Sequence, residues 1–152
     1  MNTQKDIFLD IVGSSLQKDL AYESAIKNKI KRCNLEKLIN FKKGVPHRET
    51  SFFYNSHSVF VNATTSGSYD KTILEAMACE SLVLVSNLNL KGEISDLFIF
   101  SENDEKDFAQ KLNNLLQLRS LEKDEYGKVL REYVIKHHSL DRLFIELEKC
   151  LT

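Results

Sequence analysis

Short apolar runs alternate along the chain with longer stretches whose apolar residues recur every three or four positions. Residues 6–13, DIFLDIVG, form a run ending at Gly13, as expected of a buried parallel strand. The next segment, LQKDLAYESAIKNKIKRC, carries Leu16, Leu20, Ala21, Ile26 and Ile30 at helical spacing. LINF (38–41) reads as a second strand, closed by the turn around Gly44 and Pro46. HRETSFFYNSH is a short helix, and SVFVNAT (58–64) a third strand. A helix over 69–80, a strand SLVLVSN (81–87) and a fifth strand LFIF (97–100) follow. From Asp104 the chain is charged, Leu-rich and helical, in two or three pieces broken near Ser120 and Ser139. There is no internal repeat. Strands regularly separated by helices predict an α/β domain: a parallel sheet with helices on both faces, in three layers.

In such sheets ligands bind outside the carboxyl ends of the strands. The turns after Gly13, Phe41 and Val61 are therefore the places to look for a site. The size, 152 residues, fits one domain spanning 1–152, with 104–152 as a helical tail. With 42% hydrophobic residues a real core is expected, and disorder is excluded as a class. A net charge of -1 argues against a dedicated nucleic-acid binder. No apolar run approaches the roughly 20 residues of a membrane span, and MNTQKD does not read as a signal peptide. Cys33, Cys79 and Cys150 are far apart and without a CxxC pair, so they suit a reducing cytosol, with no disulfide frame and no zinc site. Charge is unevenly divided. Residues 1–71 hold 11 Lys/Arg against 7 Asp/Glu, and residues 72–152 hold 10 against 15. All three turns lie in the positive half, which suits an anionic ligand, although solvated helix faces produce the same asymmetry.

The chemistry concentrates in NATTSGSYDKTILEAMACE, residues 62–80. A strand ends near Ala63, a Thr/Ser/Gly loop follows, and a helix begins near Tyr69. Gly67 lets backbone N–H groups approach a ligand, and the first helical turn leaves donors unpaired, so the segment forms a phosphate cradle. Lys71 opposes the helix dipole and precedes Glu75 in the less favourable order for an i,i+4 pair. A bound phosphate would remove that conflict. Alternatively Lys71 reaches water and Asp70 balances it; the local pattern leaves both open. Ile73, Leu74, Met77 and Ala78 form the buried stripe, with Lys71, Glu75 and Cys79 on a neighbouring one. A carboxylate at Glu75 could accept hydrogen bonds from a vicinal diol such as a ribose, or simply be solvated.

The run SYDKTILEAMACESLVLVSN resembles the donor-site segment of the retaining glycosyltransferases of family 4, whose fold is the two-domain GT-B type. LDIVG resembles the strand and glycine that follow the first helix of their C-terminal domain. INFKKGVPHRETSFFYNSHSVFVNAT resembles the next strand, base-contacting loop, short helix and strand. The resemblance covers residues 6–100, with several motifs matching in order and spacing. It implies a Rossmann-like half of a GT-B enzyme, transferring a hexosyl group with retention from a UDP- or GDP-sugar to a glycan or lipid-linked acceptor, as in polysaccharide biosynthesis. It implies no metal and no separate cofactor. It also implies a cytoplasmic enzyme, with peripheral placement at the inner membrane face open for the full protein.

By the same resemblance Glu75 binds the nucleotide ribose, and Gly67, Ser68 and Tyr69 form the loop facing donor sugar and diphosphate. Gly13 and Ser14 match the glycine turn near the nucleotide, and Lys43, Gly44 and Val45 the base-contacting loop. Asp70 and Lys71 match the T-G-S-x-D-K variant of some bacterial members. No catalytic residue is assigned. Many members carry a second glutamate where Gly67 stands, and the helix-ending Gly and later Pro of the family are Glu80 and Leu82. A left-handed cap at Glu80 would cost on the order of 1 kcal/mol. The family's first strand and helix, with an Arg and a Lys that hold the diphosphate, have no counterpart before Asp6, and neither has the N-terminal acceptor domain. The chain is therefore expected to be truncated and inactive alone.

Two other readings compete. One is a non-catalytic nucleotide-sugar-binding or partner domain. The other is a flavodoxin-like or receiver domain, which would need an acidic cluster at the first strand end, where only Asp10 stands. His47 reads as a cap or exposed group, His57 as structural, and His137 and His138 as helix-end residues. Cys79 reads as a small core residue, and Lys27, Lys29, Lys31 and Arg32 as a solvated helix face. No G-x-S-x-G, H-E-x-x-H or Walker loop is present.

Overall fold

The computed structural model describes residues 7–64 and 70–151. The chain divides into two compact units, Met1–Glu49 and Thr50–Thr152, each considered by itself.

In the first unit, strand β1 (Leu9–Val12) pairs in parallel with β2 (Ile39–Lys42), Leu9 opposite Ile39 and Val12 opposite Lys42. A parallel pair needs a crossover, and helix α1 (Leu20–Arg32) supplies it. A single 3-10 turn, Gln17–Asp19, leads into α1, so the regular helix begins later than the apolar spacing from Leu16 suggests. The basic run of α1 is exposed, as expected for a solvated face, with Lys27 paired to Glu23 and lying 5.0 Å over the ring of Phe41.

Helix α2 (His47–Ser56) contains the division between the units. In the second unit β3 (Phe60–Asn62) runs parallel to β4 (Val83–Val85), and α3 (Lys71–Ala78) lies between them in sequence. All three residues of β4 are buried, which accounts for the continuous apolar run SLVLVSN. On α3 the buried residues are Ile73, Ala76 and Met77, while Leu74 and Ala78 are half-buried. The buried stripe thus takes in Ala76, which the expected set omits. Three helices complete the chain: α4 (Glu105–Gln117), α5 (Ser120–His138) and α6 (Leu140–Leu151). The breaks fall beside Ser120 and at Ser139, as expected from the sequence.

The fifth strand expected at LFIF does not form as a strand. Asp96–Phe98 is a 3-10 turn, capped by the Ser95 hydroxyl accepting from Leu97 N at 3.3 Å. That turn uses the N–H groups of Phe98 and Ile99, and only an isolated parallel bridge joins Ile99 to Val85. The core of the second unit gathers Met77, Leu84, Leu90, Phe98, Leu115 and Leu130, so α4 and α5 each contribute to it.

Candidate functional site

In the first unit two of the expected turns come together at the carboxyl ends of β1 and β2. Gly13 has φ +152°, a conformation essentially limited to glycine, while its N–H donates to Lys42 O at 3.0 Å. The chain thereby turns sharply out of β1, and the Ser14 hydroxyl accepts from Gly44 N at 3.3 Å. Lys43 and Gly44 are exposed and Val45 is half-buried. Behind this edge Asp10 accepts from Asn40 Nδ2 at 3.0 Å and pairs with Lys42 at 2.7 Å, tying the strand pair below the turns.

In the second unit the site is built around the start of α3. Asp70, in extended conformation, is the helix N-cap: Oδ1 accepts from Thr72 N at 3.0 Å and from the Thr72 hydroxyl at 2.7 Å. Its other oxygen accepts from Asn62 Nδ2 at 2.7 Å and from the Thr64 hydroxyl at 3.4 Å. Asn62 also accepts from Thr64 N at 3.0 Å, and the buried Ser86 donates to Thr64 O at 3.0 Å. The end of β3, the cap of α3 and the end of β4 are therefore one hydrogen-bonded group. Partial burial pushes the Asp70 pKa upward, but donation from Thr72, Asn62 and Thr64 outweighs it and holds the carboxyl below its ordinary value.

One turn into α3, Glu75 is 20% exposed and its Oε2 accepts from the Tyr54 hydroxyl at 3.2 Å. Its Oε1 lies 3.9 Å from Lys71 Nζ, and the Lys71 side chain is 79% exposed. Lys71 thus reaches water, as one of its two sequence readings has it, and pairs loosely with Glu75, while the Asp70 carboxylate is engaged by Asn62, Thr64 and Thr72. Tyr54 is buried and its phenol is pushed up to about 12, first by burial and then by the adjacent carboxylate. Cys79 is half-buried at the C-cap of α3. His57 Nδ1 lies 2.8 Å from Phe53 O, in keeping with a structural role, and His137 and His138 sit in the last turn of α5 against Tyr133.

Among the expected site residues, the structure therefore groups Gly13 and Ser14 with Gly44, and Lys71 with Glu75, while Asp70 is tied to Asn62, Thr64 and Thr72. Gly67, Ser68 and Tyr69 lie outside the described residues. Tyr54, Asn62 and Thr64 are participants that the sequence did not single out. Asn62 and Thr64 stand within the cradle segment, so the Asn-x-Thr before a capped helix was a usable signal; Tyr54, 21 residues from Glu75, offered none. Among the described residues no group of three His, Cys, Asp or Glu side chains is arranged to hold a metal ion. No helix among them is long and apolar enough to cross a membrane.

The architecture is a mixed α/β, Rossmann-like one with parallel strands, matching half of a GT-B glycosyltransferase. Sucrose-phosphate synthase from Thermosynechococcus elongatus superimposes with a TM-score of 0.81 at 19% identity, over 93% of this chain and 37% of its own. HepE of Anabaena, in complex with UDP, gives 0.84 at 14% identity, over 95% of this chain and 40% of its own. The C-terminal domain of a glycosyl transferase group 1 family protein from Francisella tularensis gives 0.76 at 20% identity, over 88% and 70%. The chain thus spans well under half the length of the first two of these proteins. The sequence model for glycosyl transferases group 1 matches residues 1–136, and the chain belongs to that family. No curated protein matches its sequence.

Proposed function

We propose that this chain is the donor-binding half of a retaining, family 4 glycosyltransferase that uses a nucleoside diphosphate sugar and acts in the cytoplasm. The observation that carries the reading is the pairing of Glu75 and Lys71 on a firmly capped helix. The carboxylate would accept hydrogen bonds from the ribose diol, and the exposed ammonium would meet the diphosphate one turn nearer the helix start. Asp70 is fully engaged as a cap, so its part is to hold the helix start rather than to touch the donor. The UDP carried by the Anabaena neighbour supports a nucleoside diphosphate as the leaving group.

In the reaction proposed, departure of the nucleoside diphosphate leaves negative charge on its terminal phosphate. Lys71 and the backbone donors of the helix start would stabilise that charge, lowering the barrier to breaking the bond to the sugar. Gly13, Ser14, Lys43, Gly44 and Val45 would supply the nucleotide-facing turns, and Gly67, Ser68 and Tyr69 the loop toward the sugar. The acceptor, a glycan or lipid-linked sugar, would enter against a separate N-terminal domain, so the 152-residue chain is expected to bind donor without transferring its sugar.

Calorimetry with UDP, GDP, CMP and AMP tests the reading. Binding of UDP or GDP, with CMP and AMP at least tenfold weaker, is expected. Equal or undetectable binding of all four would contradict it, and would leave the non-catalytic partner domain as the better account. Sugar transfer by the isolated chain would contradict the division of labour.

A further inference from the structure

Tyr54 belongs to α2 and Glu75 to α3, and the hydroxyl of one meets the carboxylate of the other inside the second unit. The tyrosine is only 9% exposed, and its ring packs edge-on against Phe60 of β3 with centroids 5.5 Å apart. Packing therefore fixes the ring, and the ring fixes where the hydroxyl can be. The two carboxylate oxygens are in different surroundings: Oε2 at the buried hydroxyl, Oε1 toward the exposed Lys71. A glutamate has several rotatable bonds, and an unheld one would lose that freedom on binding a ligand.

We infer that Tyr54 is a positioning residue for Glu75: by donating to Oε2 it sets the carboxylate's rotamer and plane, so that Oε1 and the remaining acceptor sites meet the vicinal diol of a nucleoside diphosphate. The inference rests on the donor-site reading of Glu75. A carboxylate has about four acceptor sites, and the tyrosine donor takes up one of them. With its phenol pushed up to about 12, Tyr54 stays protonated and keeps donating throughout the neutral range. The group acts through Glu75 and touches no reacting atom.

The test compares wild type, Tyr54→Phe, Glu75→Ala and the double variant, titrated with UDP and GDP and with the 2′,3′-dideoxy form of whichever binds. Tyr54→Phe should weaken the diol nucleotide roughly three- to tenfold, the effect of one lost hydrogen bond. It should leave affinity for the dideoxy nucleotide unchanged, and have no further effect in the Glu75→Ala background. The ratio of the two ligands is read within one protein, so partial unfolding would not imitate this result. Equal loss for both ligands would mean a merely structural role and overturn the inference. Unchanged binding in Tyr54→Phe beside weakened binding in Glu75→Ala would overturn it too, while leaving the donor site standing. If Glu75→Ala binds like wild type, the donor-site reading itself fails and the positioning role goes with it.

Discussion

Gly127 lies directly against the carbonyl of Glu80: a Cβ at position 127 would stand 2.4 Å from that oxygen. Helix α5 therefore crosses the end of α3 at the one glycine in its length, although glycine inside a helix costs about 1 kcal/mol relative to alanine. Gly127→Ala should consequently destabilise the protein, by about 2 kcal/mol after its gain in helix propensity, because backbone must move to admit the methyl. A denaturant midpoint at or above wild type would show that the two helices do not pack this closely.

The same corner holds a left-handed residue. Glu80 has φ +60°, with its N–H donating to Met77 O and that of Ser81 to Ala76 O, the bonding of a helix end that normally uses glycine. Arg131 of α5 donates to Ala78 O and lies 3.8 Å from the Glu80 carboxylate, but both side chains are about half exposed, so the ion pair contributes little. Glu80→Gly should therefore raise stability by up to about 1 kcal/mol. Thermal unfolding at a lower temperature than wild type would contradict this.

Asp70 links the helix cap to the end of β3. Asp70→Ala should cost about 1–2 kcal/mol, the usual range for a lost cap, and Asp70→Asn less. Because its folded pKa lies below the ordinary 3.8, its contribution is fully present above that value and is lost as pH falls through the lower, folded one. Wild type should lose stability relative to Asp70→Asn only below about pH 4. A gap between the two that widens as pH falls would have the wrong sign.

The thiols should fall into two classes. Cys33 and Cys150 are exposed, whereas Cys79 is half-buried and its thiol is pushed up by burial, against a smaller opposing pull from Arg131. An alkylating reagent at neutral pH should label Cys33 and Cys150 first, as peptide mass spectrometry would report. Labelling of Cys79 at a similar rate would place it in more open surroundings.

How far the sequence revealed this arrangement follows from where each partner lies along the chain. The helix start at Asp70, the Lys71–Glu75 pair and the left-handed end at Glu80 are local features, and the apolar runs located all four strands of the described residues while also suggesting a fifth that does not form. At LFIF the apolar content was right for burial, but Ser95 turns the backbone before a strand can form, and hydrophobic pattern alone does not carry that competition. Partners distant in sequence were not legible. Tyr54 reads as one more aromatic in the run Phe52–Phe53–Tyr54, and Arg131, 53 residues beyond Ala78, reads as one more charge on a solvated helix. Gly13 and Gly44 were legible as turns, while their meeting through Ser14 depends on the parallel register of β1 and β2.

The central claim is that Glu75 holds the ribose of a nucleoside diphosphate. The most direct measurement is the affinity of UDP and GDP for wild type and for Glu75→Ala, each confirmed as folded. The account predicts a tenfold or greater loss in the variant, as expected when a charged acceptor is removed from two hydroxyls. Equal affinity in the two proteins would contradict it.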